Sequence, residues 1–170
     1  MNLLRAFVAF CVVALAVVLQ LTLFPHFAWY GVVPNLALLV VVGAALVRGP
    51  QFAAVLGFVA GVIIDLAPPA DHIAGRWALA LVVDGYRAGR VRQDLKPTAG
   101  AVVLTVAASS FVGTSIFALS GLLLRDPVVD VAQMLQIILV AVLWDVLLTP
   151  FVLPLVMGLF RRLEPARVAY

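Results

Sequence analysis

Asp65, Asp84 and Asp145 are the acidic residues that fall inside otherwise apolar stretches of this sequence, and buried carboxylates invite either paired acid–base chemistry or ion coupling. Pairing requires two groups close enough to share a proton. Asp65 is placed near one membrane face and Asp84 and Asp145 nearer the other, so only the last two could meet. Neither sits in the Gly-x-Gly-Asp setting of an intramembrane aspartyl protease. The sequence has no Gly-x-Ser-x-Gly elbow, no phosphate-binding loop ending in Gly-Lys-Ser/Thr, and no Cys/His ligand set. His26 and His72 stand alone in loops and read as interfacial polar residues, while the single Cys11, within an apolar run, reads as a small packed core residue. No catalytic residue, cofactor or metal is expected.

The same residues read more readily as contacts between helices. Ala53, Gly57, Gly61 and Asp65 recur every four positions, which on a helix makes a narrow stripe of small side chains ending in one charge. Such a stripe lets two backbones approach closely. Arg76 is the basic residue nearest to Asp65 across a short loop, so a pair between them is expected, modestly stabilising and partly exposed. Asp84 lies three residues before Arg87, within reach of an i,i+3 pair, and Arg76 is expected to snorkel outward. Thr105, Ser109 and Gly113 also fall four apart, flanked by Ser110 and Thr114, and mark a second close contact or hydrogen-bonding face.

Composition determines what must position these groups. Of 170 residues 65% are hydrophobic and 11% charged, and the mean hydropathy is +1.20, far from the balance of a soluble domain. An all-α integral membrane protein follows, a single bundle of six transmembrane helices with spans near 6–24, 32–48, 51–67, 75–91, 97–124 and 130–160. The first run is too long for a signal-peptide core, and the FPHFAWYG after it lacks a small-x-small cleavage pattern, so it is read as retained. Phe24, Phe27, Trp29 and Tyr30 suit a membrane interface. Pro34 is expected in the first turn of the second span, Gly49-Pro50 to end it, and Pro68-Pro69 to end the third. Pro97 is expected to begin the fifth span. The sixth is longer than the hydrocarbon core is thick, so a kink, break or tilt is expected near Pro150.

With the amino terminus inside, Arg5, Arg48, Arg87, Arg90, Arg92, Lys96, Arg161, Arg162 and Arg167 fall on the cytoplasmic side and Arg76 and Arg125 outside. Nine against two obeys the positive-inside rule and places both termini in the cytoplasm. The pI of about 9.6 therefore reflects topology and contact with anionic lipid, not nucleic-acid binding. Two functions fit these residues: a scaffold that docks other membrane proteins, or a binding or transport subunit with a cavity among its spans. The second would need a few convergent polar groups, for which Trp77, Asp84, Ser109 and Trp144 are the candidates.

Pro34-Asn35-Leu36, Gly57-Phe58, the stretch from Gly61 to Asp65, Gly75 and Gly85-Tyr86 resemble the rod shape-determining MreD family, over nearly the whole chain. The resemblance implies a non-enzymatic component of the bacterial inner membrane, part of the cell-elongation machinery that builds peptidoglycan. It would act with MreC and, through it, with MreB, RodA and the transpeptidase partner of RodA. It also implies a fold similar to the substrate-binding subunits of energy-coupling-factor transporters, which keeps a vitamin-binding subunit as the alternative. The short, charge-interrupted fourth segment departs most from the family pattern.

Overall fold

The computed structural model describes residues 3–68, 72–94, 98–124 and 130–163. These hold six α-helices: α1 (Leu3–Thr22), α2 (Leu36–Arg48), α3 (Pro50–Leu66), α4 (Arg76–Asp94), α5 (Ala99–Leu123) and α6 (Val131–Arg162). A short 3₁₀ helix, Phe24–Phe27, follows α1. Pro97, Lys96, Arg125 and Arg167, which entered the span and topology expectations, lie outside the described residues, as does Pro69.

The centre of the bundle is α2. Every residue from Leu36 to Val47 is buried, and α2 touches each of the other five helices. Around it the neighbours follow in the order α1, α3, α4, α5, α6. A helix apolar on all sides has this position as its natural place. Its 13 residues span only about 20 Å, so it starts and ends inside the bundle.

Local chemistry sets the helix starts. The expected start of the second span at Pro34 is corrected: Asn35 is the N-cap, and its Oδ1 accepts the Leu38 N–H at 2.9 Å. Pro50 does not end that span but opens α3, with Gly49 at φ 90° forming both the end of α2 and the cap of α3. Thr98 caps α5 through the Ala101 N–H. Before α2 the chain turns tightly at Tyr30-Gly31, both at positive φ, with Trp29 and Val32 exchanging backbone hydrogen bonds. The Trp29 and Tyr30 rings face outward from this turn.

α6 runs unbroken through Pro150 and Pro154, so the break considered at Pro150 is not made. Just before it, Thr149 Oγ1 donates to the Asp145 carbonyl at 2.7 Å and adds a bond to that turn. The reading of Cys11 is also corrected. It is exposed, because α1 buries the stripe Ala9, Val13, Ala16, Val17 and Gln20, and Cys11 points to the other side.

Three helices, α1, α5 and α6, are long and apolar enough to cross a membrane; α2 and α3 are shorter apolar helices. The outer surface matches. Leu135, Leu139, Leu143, Leu147, Phe151 and Leu155 form an exposed stripe along α6, one every four residues, an apolar face that suits lipid and not water.

Candidate functional site: carboxylates that hold helix N-termini

The small-residue stripe of α3 packs on α4. A Cβ on Gly57 would overlap the Leu81 carbonyl group, and one on Gly61 would overlap the backbone of Ala78. The relation is mutual, since Gly85 of α4 abuts the Ala53 carbonyl and Gly89 abuts Pro50. Backbone meets backbone at four glycines, and no side chain can move aside to make room.

At the end of that stripe Asp65, 2% exposed, receives four donors. Its Oδ1 accepts His72 Nε2 at 3.0 Å and the Trp77 N–H at 3.1 Å; its Oδ2 accepts the N–H groups of Gly75 at 2.8 Å and Ala78 at 3.0 Å. The carboxylate thus caps the start of α4 from the end of α3, where the first-turn N–H groups lack partners of their own and the helix dipole favours negative charge. The expected pair with Arg76 is replaced by this arrangement, and His72 is a partly buried partner of Asp65 instead of a lone interfacial group. Arg76 does not snorkel outward. It is buried, its Nε and Nη2 donate to the Phe117 carbonyl at 3.2 and 2.6 Å, and its guanidinium lies 3.9 Å from the Phe117 ring centroid. Gly121 leaves the space that this guanidinium fills. Trp77 stacks on Phe117 at 4.5 Å and His72 meets its edge at 5.2 Å, so one α5 side chain receives three groups from the α4 end.

A second carboxylate holds the start of α2. Asp145 Oδ1 accepts the Asn35 N–H at 2.7 Å, and its Oδ2 accepts Ser110 Oγ at 2.6 Å. Gln20 Oε1 on α1 accepts the Ala37 N–H at 3.1 Å. With the cap from the Asn35 side chain, the buried N-terminus of α2 is satisfied by α1, α6 and itself, which a helix beginning inside an apolar bundle requires.

Asp84 behaves differently. It is 1% exposed and lies against Gly113 and near Leu38, and neither of its oxygens has a hydrogen-bond partner. The expected ion pair with Arg87 is not formed within 4 Å, because Asp84 faces α5 while the Arg87 side chain is exposed. Asp84 and Ser109 line a cleft of about 230 Å³ with Thr105 and Arg87. Trp77 lines a different cleft of about 240 Å³, near Tyr30, Asn35 and Phe117, and Trp144 lines neither. Neither of these two clefts brings together all four groups named for a ligand cavity.

Besides His72, three contributors escaped the sequence reading as site residues. Gln20 had the signal of a lone amide in an apolar run. Asn35 had that of a capping residue before an apolar helix, though here it acts through its backbone N–H as well. Phe117 had none, because its role comes from its carbonyl and from ring neighbours distant in sequence. Among the described residues no group of three or more His, Cys, Asp or Glu side chains could hold a metal ion.

The family model described as rod shape-determining protein MreD matches residues 1–163. No curated protein and no solved structure matches the chain. With almost its whole length covered, the chain belongs to the rod shape-determining MreD family.

Proposed function

We propose that this protein is a non-enzymatic, six-span scaffold of the bacterial inner membrane, with both termini in the cytoplasm, that serves peptidoglycan synthesis during cell elongation. It acts with an MreC-like protein and, through it, with MreB, RodA and the RodA transpeptidase partner. Membership of a shape-determining family carries this reading. The geometry supports it in one respect: the polar residues placed in the core brace helices against one another. Asp65 joins α3 to α4, Arg76 joins α4 to α5, and Asp145 joins α6 to α2 and α5. Bracing of this kind stiffens a bundle whose outer apolar faces, such as the Leu135 to Leu155 stripe, remain available to lipid and to partner helices.

Depletion in a rod-shaped host is the test. The expected result is rounded cells with vitamin uptake intact. Normal cell shape with failed uptake of one vitamin overturns the scaffold reading in favour of a transporter subunit.

A further inference from the structure

The first residues of α5 and the second half of α6 line a groove of about 580 Å³, more than twice the volume of either cleft described above. Thr149 and Leu153, both buried, lie at its floor. The Thr149 hydroxyl is already bonded to the Asp145 carbonyl, so the floor presents hydrocarbon and no free polar group. Val103, Pro150 and Pro154 line the groove and are exposed, which leaves it open along its side. It stays open because α6 carries compact groups there. A Cβ on Gly158 would meet nothing within 4 Å, whereas one on Gly57 or Gly61 of α3 would meet the α4 backbone.

Charge enters this groove at one end only, with Arg161. That side chain is exposed and forms no ion pair among the described residues, while Arg48 is taken up by the Leu163 carbonyl and the Phe52 ring. Ala99, in the first turn of α5, lines the groove as well, and the dipole at a helix start adds to the attraction for an anion. From Arg161 to Val146 the groove follows α6 for about 22 Å. Half of a bilayer with its headgroup region measures about the same. The groove stops there, although α6 continues back to Val131, so it has the length of one leaflet and not of a spanning helix. An anionic head beside Arg161 with an apolar tail running to Val146 matches both its charge and its length.

We propose that the α5–α6 groove seats an acyl chain of an anionic phospholipid, with the lipid phosphate accepting from Arg161, in the leaflet on the side of the α6 C-terminus. A basic site between spanning helices is a recurrent way of holding such headgroups. Phosphatidylglycerol presents its phosphate without an amine, whereas phosphatidylethanolamine would bring an ammonium group beside Arg161 and the neighbouring Arg162. This site does not depend on the elongation role, only on residence in the membrane.

Native mass spectrometry of the full-length protein, delipidated in detergent and then given phosphatidylglycerol or phosphatidylethanolamine, tests it. Phosphatidylglycerol is expected to be retained about fivefold more strongly, the ratio that one arginine near an anionic headgroup supports. Arg161→Gln should remove that preference, and Arg162→Gln, beside the groove but not lining it, should keep the larger part of it. Gly158→Phe fills the groove from a position with free space and should weaken retention of both lipids, with its unfolding midpoint unchanged. Equal retention of the two lipids, equal loss in the Arg161 and Arg162 variants, or retention unchanged by both Arg161→Gln and Gly158→Phe overturns the proposal. A benzophenone amino acid at Val103, photolysed in native membranes, separates the remaining occupants. Adducts with lipid support the site, and adducts with another protein or a second copy of this chain overturn it by assigning the groove to a helix.

Discussion

Asp145 on α6 accepts the backbone N–H of Asn35 at 2.7 Å across 110 residues of sequence, and so ties the longest helix of the bundle to the start of the shortest. A carboxylate there answers a problem that α2 creates by being too short to reach the bundle surface. Its first N–H groups would otherwise lie unpaired in an apolar interior.

Asp145→Ala removes both acceptors and leaves the Asn35 N–H and the Ser110 hydroxyl without their partners. A buried orphan donor costs about 1–3 kcal/mol, so a loss of about 3 kcal/mol is expected for the pair. Ser110→Ala, which removes only one donor, should cost about 1 kcal/mol. Thermal unfolding of the two variants in detergent checks the order. Equal stability of Asp145→Ala and wild type would show that the contact does not hold α2.

Glycine substitutions should divide sharply by position. Gly57→Ala and Gly61→Ala place a methyl group onto the α4 backbone and should weaken the bundle by several kcal/mol, with Gly61→Leu worse. Gly158→Ala in α6 meets nothing within 4 Å and should be neutral or stabilising by up to about 1 kcal/mol through helix propensity. Unfolding midpoints of the three alanine variants, measured side by side, test this, and similar values for all three contradict the close α3–α4 contact.

Asp65 holds more than a surface pair would. The sequence suggests a partly exposed contact with Arg76 of modest worth, whereas the carboxylate is buried and takes four donors. Asp65→Ala is therefore expected to cost about 3 kcal/mol, and Asp65→Asn, which keeps an acceptor, about half of that. His72→Ala removes one donor of the four and should cost less than 1 kcal/mol. Hydrogen exchange at Trp77 and Ala78 gives a local readout: their protection should fall in Asp65→Ala and persist in His72→Ala.

What was legible in the sequence was periodic or compositional. The apolar runs and the fourfold spacing of Ala53, Gly57, Gly61 and Asp65 pointed to helices and to one tight face, since both follow from local geometry. The partners of the polar groups were not legible. Asp65 and Arg76 are near in sequence and opposite in charge, so they invite pairing, yet uncapped N–H groups at the start of α4 and the carbonyl and ring of Phe117 compete more effectively. Asp84 and Arg87 stand at i,i+3, but helix rotation sends one toward α5 and leaves the other exposed. That Asn35 and Asp145 meet could not be read at all, because it depends on how deep α2 sits within the bundle.

Copurification from native membranes of its host, with the bound proteins identified by mass spectrometry, tests most directly whether this chain is a braced scaffold for elongation partners. Recovery of an MreC-like protein together with RodA or its transpeptidase partner is expected, with reduced recovery for Asp65→Asn at normal protein level. Recovery of ATP-hydrolysing transporter subunits or a tightly bound vitamin, with no elongation component, would contradict it.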